Sequence, residues 1–564
     1  MLVAELLARG FQRHGITLTF SQCFPVRTQH ALPGYGIRQI GFRTENAGGT
    51  MADGYARVSR HIAVVAAQSG PGATLLVPPM AEALYASVPL LALVEEYPRI
   101  HADRNAFQEL DHVKLFEGCS KWTRRVDRAD RIEDYLDMAI TMATSGRPGP
   151  VALILPLDLL GAEAPPARRT ASLGHFPLDR TTPEPCVIKE AADQLVAAQR
   201  PLIIAGGGVH LSDASSEVTA LGEKLAIPVA TTNMGKGTID ERNPIAVGVF
   251  GNCMEEGAPN AGLRSLAKEA DLVLLVGTRT NANATDGWSL LPRGARYIHI
   301  DLDGLEMGRN YEALRLPGDA RATLAALNAE LAARGVTEPQ GRRARIAAMT
   351  AASREASRSW RNELGWGQQG AIRPEYMLEI LDERLRPEDI VTADASYATN
   401  WVSAYLTAKA NGARFLEPRG LAGLGWGLPL AMGAKLARPE ANVFAIVGDG
   451  GFAHCWAELE TARRMKIHVV VIVLNNQILG YQRHGEEWNF KTHSDAADLG
   501  PVDHAAIALA CDCYGERVAT PEEFGPALDR ALAADRPAVI DLITDAAAHP
   551  PLSLFAGKAR DVQL

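Results

Sequence analysis

The most specific chemistry in this chain of 564 residues lies in Phe444-Ala-Ile-Val-Gly-Asp-Gly-Gly451. An apolar run ends there in a Gly-Asp-Gly turn, and the stretch 452–466 follows with Trp456, Leu459 and Arg463 at helical spacing. At the carboxyl end of a buried parallel strand, glycines let backbone amides approach a phosphate at a helix N-terminus. A carboxylate at that spot would repel a bare phosphate, so Asp449 makes chemical sense when a cation lies between the two. The next apolar run ends in Leu474-Asn-Asn-Gln477, which puts Asn476 at the carboxyl end of a neighbouring strand. One carboxylate, one amide oxygen, a backbone carbonyl and phosphate oxygens form the hard octahedral shell that Mg2+ prefers. The plainer alternative has Asp449 capping a helix and Asn475-Asn476 forming a turn. Two such signals after two successive apolar strands favour the cation.

A second candidate is Glu45, within Gly41-Phe-Arg-Thr-Glu-Asn-Ala-Gly-Gly-Thr-Met-Ala-Asp-Gly-Tyr-Ala-Arg57. A Glu in a first helical turn is also favoured by the helix dipole alone. Gly48, Gly49, Ala52 and Gly54 are together a poor choice for an exposed helix and a good one where another backbone or a flat ring comes close. Ser69-Gly-Pro-Gly-Ala-Thr74 and Gly423-Leu-Gly-Trp-Gly-Leu-Pro429 are further glycine-rich turns; taken alone, each is ordinary loop punctuation.

These residues need strands to carry them. Short apolar runs recur with helical stretches between them, the pattern of parallel strands buried on both faces. The first region holds His61-Ile-Ala-Val-Val-Ala-Ala-Gln68, Pro89-Leu-Leu-Ala-Leu-Val94 and Val151-Ala-Leu-Ile-Leu155, and ends before a linker-like segment at 164–172. The second runs from Pro201-Leu-Ile-Ile-Ala-Gly-Gly-Gly208 through Asp271-Leu-Val-Leu-Leu-Val-Gly277 to Tyr297-Ile-His-Ile-Asp301. An Ala- and Arg-rich helix, 340–364, leads to the third, with strands at 390–394, 442–447, 468–474 and 538–543. The composition is 47% hydrophobic and 22% charged, which suits packed cores. A net charge of −9 argues against a dedicated nucleic-acid binder and favours a small-molecule partner. The seven cysteines are scattered without Cys-x-x-Cys spacing and read as free buried thiols in a reducing compartment. Glu5 and Arg9 break the N-terminal apolar run as on an amphipathic helix, and no run approaches the ~18 apolar residues of a membrane span. A cytoplasmic protein is expected.

Gly448-Asp-Gly450 followed by Asn475-Asn476 resembles the cofactor signature of thiamine-diphosphate-dependent enzymes, in the branch of acetolactate synthases and 2-oxo acid decarboxylases. The resemblance covers nearly the whole chain and implies an α/β fold of three doubly wound parallel-sheet domains. These are a pyrimidine-binding domain (1–163), a middle domain (190–335) and a diphosphate- and Mg2+-binding domain (370–550), followed by a C-terminal tail (551–564). It implies thiamine diphosphate and Mg2+ as cofactors, with Asp449, Asn476 and the carbonyl of Ile478 on the metal and Gly448, Gly450 and Gly451 at the diphosphate. Glu45 becomes the carboxylate that stabilises an imino tautomer of the pyrimidine, Gly72 lines the pyrimidine side, Leu424 supports the bend of the cofactor, and Ala422 offers a carbonyl to its amino group. Ser396, Tyr397 and Ala398 align with a loop that touches the diphosphate, although the Gln and His common there in acetolactate synthases are missing.

For the substrate, Asn105-Ala-Phe-Gln-Glu109 resembles the acetolactate synthase segment whose Phe and Gln reach the reaction centre, giving Phe107 and Gln108. Past the metal site, Tyr481 and Gln482 stand where those enzymes carry an apolar pair, and His484 with Gly485 where they carry Gln-Trp. Phe20-Ser-Gln-Cys-Phe-Pro25 likewise lacks their glycine-rich form. A polar, partly basic wall suits a donor or acceptor with an extra polar or anionic group. The implied reaction is ylide attack on a 2-oxo acid, loss of carbon dioxide, and transfer of the enamine to a proton or a second carbonyl. The alternatives are a thiamine-dependent C–C lyase acting on a sulfo-aldehyde or cyclic diketone, and a non-catalytic family member. Some family members hold FAD in the middle domain. Ala205-Gly-Gly-Gly208 lacks Gly-x-Gly-x-x-Gly spacing and Gly277-Thr-Arg-Thr-Asn281 differs from the FAD-associated segment, so the reading leans against FAD. The resemblance also implies a site shared between chains, hence a homodimer at least and commonly a tetramer, with no nucleic-acid or membrane partner.

Overall fold

The computed structural model describes residues 1–364 and 372–555. The tail at 551–564 therefore lies outside the described residues from 556 onward, and so do 370 and 371 at the start of the third domain. The described chain holds three six-stranded parallel sheets.

The first comprises β1 (Leu18–Phe20), β2 (Arg38–Ile40), β3 (Ala63–Ala67), β4 (Leu90–Glu96), β5 (Trp122–Arg125) and β6 (Val151–Pro156), in the order β2-β1-β3-β4-β6-β5. The second comprises β7 (Pro201–Ala205), β8 (Val229–Thr231), β9 (Ala246–Val249), β10 (Leu272–Val276), β11 (Arg296–Asp301) and β12 (Leu314–Pro317), ordered β12-β11-β10-β7-β8-β9. The third comprises β13 (Ile390–Ala393), β14 (Phe415–Leu416), β15 (Val443–Gly448), β16 (Val470–Asn475), β17 (Tyr514–Val518) and β18 (Ala538–Ile543), ordered β14-β13-β15-β16-β18-β17. Counted from its own first strand, the third sheet repeats the order of the first. The middle sheet instead has the dinucleotide-fold order, with its switch point between β7 and β10.

Alternation along single strands shows why the sheets are covered on both faces. Ala63, Val65 and Ala67 of β3 belong to one apolar cluster and Val64 and Ala66 to another. In β15, Ala445 and Val447 face that first cluster while Phe444 and Ile446 face a third. Hence the outer domains share one core, closed by the helices Glu45–Ser59 and Gly427–Ala437. Their contact is backbone against backbone: a Cβ on Gly54 would come 2.3 Å from the Leu430 carbonyl oxygen, and one on Gly433 would come 2.0 Å from that of Met51. The expectation of close backbone approach along the Glu45 helix holds for this reason.

Two expectations are corrected. The helix read over 452–466 is two pieces, Asp449–Phe452 and Glu458–Met465, because 453–457 takes tighter bonds such as His454 N–H to Gly451 O and Cys455 N–H to Phe452 O. All seven cysteines are free, but Cys23 and Cys186 are exposed, because they sit in a surface loop and on the outer face of the helix Pro185–Ala197. Among the described residues no helix is long and apolar enough to cross a membrane.

Candidate active site

The carboxyl edge of the third sheet gathers most of the residues singled out from the sequence. One cavity is lined by Ser396, Tyr397, Ala398, Leu424, Gly448, Asp449, Gly450, Gly451, Asn476, Ile478 and Gln482. Asp449 opens the short helix after β15 and is 6% exposed. Its Oδ1 accepts the Gly450 N–H at 3.0 Å and its Oδ2 the Gln477 N–H at 2.7 Å, so one carboxylate ties the end of β15 to the end of β16. Burial pushes its pKa up to about 6, opposed chiefly by the backbone N–H groups of Gln477 and Gly450 rather than by a cationic side chain of the described residues. A buried carboxylate without a cation is a costly arrangement that a divalent metal would relieve.

The two asparagines divide the work. Asn475 is 1% exposed and donates to Asp541 Oδ1 at 2.8 Å and to the Val502 carbonyl at 3.1 Å, which fixes the strand end. Asn476 is half-buried on the cavity wall, with Oδ1 receiving the Ile478 N–H at 3.2 Å. Between them Gln477 takes φ 58, a left-handed turn that brings the Ile478 backbone round to the same cavity.

The glycines have separate reasons. A Cβ on Gly451 would sit 2.1 Å from Asp394 Oδ2, whereas Gly448 faces open space. Asp394, directly after β13, is 1% exposed and accepts the N–H groups of Ala395 at 2.8 Å, Gly425 at 3.0 Å and Trp426 at 3.1 Å. It thereby holds the turn at Gly425 (φ 83) that presents Leu424. In the sequence Asp394 reads only as a strand end, its one signal being an acid that follows an apolar run. Ala422 lies apart from this cavity, on the neighbouring cleft of the middle domain.

Glu45 is elsewhere. It begins the helix Glu45–Ser59, capped by Thr44, whose side chain accepts the Ala47 N–H. It does not line the cavity of Asp449. A Cβ on Gly72 would come 3.0 Å from Glu45 Oε1, which places that carboxylate beside the turn after β3. The same turn touches Gln108, with Ser69 Oγ 3.5 Å from Gln108 Oε1. Its backbone is held by His112, which is fully buried: Nε2 accepts the Gly70 N–H at 3.0 Å while Nδ1 donates to Glu96 Oε1 at 3.0 Å. Glu96 also pairs with Arg125. Nothing in the sequence signals this relay, because His112 and Glu96 come from different elements. Gln108 and Phe107 line a cavity of about 840 Å3, together with Phe24, Glu95 and Tyr97. Phe107 is 84% exposed there.

Of the remaining substrate candidates, His484 is already engaged. Tyr397 OH meets its Nδ1 at 3.0 Å and its Nε2 reaches the Ala546 carbonyl at 2.9 Å, which sets the tautomer with the proton on Nε2. Tyr481 packs edge-on against Tyr397. Gln482 is the member of the group that reaches the cavity wall. In the middle domain, Gly206 and Gly208 pack against the backbone at Gly277, where a Cβ would clash at 2.3 and 2.7 Å. They close the β7–β10 switch point beside a cleft of about 350 Å3.

Comparison with known proteins identifies the family. The chain matches the thiamine pyrophosphate enzyme N-terminal TPP binding domain over 1–115, the central domain over 188–327 and the C-terminal TPP binding domain over 394–542. It is 31% identical to the probable acetolactate synthase large subunit of Methanocaldococcus jannaschii, covering 99% of this chain and 94% of that protein. It is 32% identical to the acetolactate synthase large subunit of Parasynechococcus marenigrum over 96% and 87%, and 31% identical to the acetolactate synthase of Mycobacterium bovis over 93% and 84%. The chain belongs to the thiamine pyrophosphate enzyme family, as an acetohydroxyacid-synthase-like, thiamine-diphosphate-dependent enzyme.

Proposed function

We propose that this chain is a thiamine-diphosphate- and Mg2+-dependent decarboxylase and carboligase of 2-oxo acids, of the acetolactate synthase kind. The observation that carries this reading is the convergence of Asp449, Asn476 and Ile478 with Gly448, Gly451 and Leu424 on one cavity at the carboxyl edge of the third sheet. The donor set is all oxygen, as Mg2+ requires. Asp449, Asn476 and the Ile478 carbonyl hold the metal; Gly448, Gly450, Gly451 and the Ser396-Tyr397-Ala398 loop receive the diphosphate. Leu424 would support the bound cofactor, and the Ala422 carbonyl, on the adjoining cleft, would accept from its amino group. Thiamine diphosphate, when bound, supplies the electron sink for losing carbon dioxide from a 2-oxo acid.

The protein's own part is proton management and exclusion of water. Glu45, beside Gly72, holds the proton that sets the tautomer of the pyrimidine. Gln108 orients the substrate carbonyl with Phe107 beside it, and Gln482 with Tyr481 shapes the acceptor wall. His484 acts on that wall through Tyr397, given its two hydrogen bonds. Because Glu45 does not line the cavity of Asp449, the reading includes a second copy of the chain completing each site, as a homodimer or a tetramer of two such pairs. A cytoplasmic location belongs to the same reading. The middle domain is proposed as structural or weakly nucleotide-binding, without FAD.

The test is a screen of 2-oxo acid donors and carbonyl acceptors with carbon dioxide detection, on protein reconstituted with thiamine diphosphate and Mg2+, beside an absorbance scan. Carbon dioxide release and a ligated product are expected, without flavin bands. Cofactor-dependent turnover without carbon dioxide would favour the lyase reading, which the polar Tyr481-Gln482 wall also suits. Protein that cannot be reconstituted at all would sink both.

A further inference from the structure

The first and third domains exchange buried carboxylates in a reciprocal pattern. Glu458 opens the helix Glu458–Met465, between β15 and β16, and is 1% exposed. Its carboxylate accepts the Arg43 N–H at 3.1 Å to each oxygen and the Thr44 N–H at 3.1 Å. Those two residues lead directly into Glu45. Glu82 lies in the helix Val77–Ala86, between β3 and β4, and is also 1% exposed. Its carboxylate accepts the N–H groups of Gly420 at 2.6 Å, of Leu421, and of Ala422 at 3.3 Å. Those residues lead directly into Leu424.

The shared strand order makes this a matched pair. Both helices connect the third strand of their sheet to the fourth, and both gripped loops follow the second strand and enter the helix at the domain seam. Each carboxylate directs its acceptor oxygens at consecutive main-chain N–H groups of the other domain, which fixes a backbone rather than a side chain. Two details indicate a demanding fit. Ala422 takes φ 63, a left-handed conformation that a residue with a Cβ keeps only under outside restraint. A Cβ on Gly420 would come 2.6 Å from the Glu82 carbonyl oxygen and 2.8 Å from its carboxyl carbon.

We propose that Glu458 and Glu82 are a reciprocal pair of positioning residues, each holding the loop through which the opposite domain delivers its cofactor-contacting groups. Glu458 sets the start of the Glu45 helix; Glu82 sets the approach to Ala422 and Leu424. This rests on the cofactor roles proposed above for Glu45, Ala422 and Leu424.

The test uses the full-length chain with Glu82→Ala, Glu82→Gln, Glu458→Ala and Glu458→Gln. Amide hydrogen exchange is read at 43–44 and 420–422, thiamine diphosphate affinity with Mg2+ by tryptophan fluorescence, and kcat and KM separately. Glu82→Ala is expected to speed exchange at 420–422 by about ten-fold or more while 43–44 keeps its protection, and Glu458→Ala to do the reverse. Each lowers kcat with substrate KM held within about three-fold, the mark of lost positioning rather than lost substrate binding. The Gln variants, which keep one acceptor oxygen, show the same local pattern at smaller amplitude, and they decide the matter if an Ala variant does not fold. Unchanged exchange at the matching loop, or equal loosening of both loops by either variant, overturns the proposal. Failure of the functional reading is separate: the exchange pattern would be present in a wild-type protein that neither binds the cofactor nor turns over.

Discussion

At the end of β3 the chain turns through Ser69-Gly-Pro-Gly72, and at the equivalent end of β15 through Gly448-Asp-Gly-Gly451. β4 ends in Glu95 and Glu96; at the corresponding end β16 closes on Asn475, with Asn476 just beyond it. The strand order is the same on both sides, yet the two edges face opposite chemical problems. In the third domain the buried acid, Asp449, has only backbone N–H partners and is left suited to a metal. In the first domain the buried acid Glu96 is already paired with the Arg125 guanidinium and accepts the Nδ1–H of His112, and through that imidazole it serves to hold a turn. Topology thus supplies two equivalent edges, and the neighbours of one carboxylate separate the edge proposed to take a cation from the one whose acid is already paired.

Breaking the Glu45 side of this comparison is expected to have the largest effect. Glu45→Gln should lower kcat by about 10²–10⁴-fold, the range for a positioned proton-handling group, while leaving Mg2+-dependent cofactor binding measurable by fluorescence. Equal turnover in wild type and variant would remove Glu45 from the mechanism. On the other side, Asp449→Asn should weaken Mg2+-dependent retention of thiamine diphosphate by about 100-fold, read by equilibrium dialysis. Retention at the wild-type level would show that the two edges do not differ as argued.

The seam between the edges comes next. Gly433→Ala must push a methyl group into the Met51 carbonyl, and a cost of about 1–3 kcal/mol is expected in denaturant unfolding. His112→Ala leaves the Gly70 N–H without its acceptor and Glu96 Oε1 with Arg125 alone, for about 1–3 kcal/mol, and should raise substrate KM through Gln108 more than it lowers kcat.

The smallest effect is a pH dependence. Glu417, 1% exposed near Arg57 and Lys236, has its pKa raised by burial to about 7, and Asp53 is raised likewise to about 6. A group with a raised folded pKa contributes stability in full below its unfolded value and loses it as pH rises through the folded one. Thermal midpoints should therefore fall between about pH 4.5 and 7, and Glu417→Gln should flatten that slope. An unaltered slope would mean that Glu417 is ionised throughout.

Legibility in the sequence followed locality. The apolar runs that became β3, β4, β6, β7, β10, β15, β16 and β18 stood out because strands buried on both faces need unbroken hydrophobic residues. Short edge strands such as β2 (Arg38–Ile40) and β14 (Phe415–Leu416) gave no such run. Asp449 and Asn476 were readable because each sits at a strand end, where an apolar run abruptly gives way to a polar turn. Asp394, Glu82, Glu458 and His112 were not, since nothing in the local sequence separates a carboxylate that accepts distant main-chain N–H groups from one that faces water.

By itself, then, the sequence determined that three α/β units would form and which glycine and acid residues would stand at their carboxyl edges, because hydrophobic periodicity and turn chemistry act over a few neighbouring residues. Only the tertiary structure decided that the outer two units repeat one strand order, that Gly54 and Gly433 let their helices touch backbone to backbone, and that Glu82 and Glu458 reach across the seam. Those contacts join residues hundreds of positions apart, and the desolvation that gives a buried carboxylate its partners exists only once both domains have closed around it.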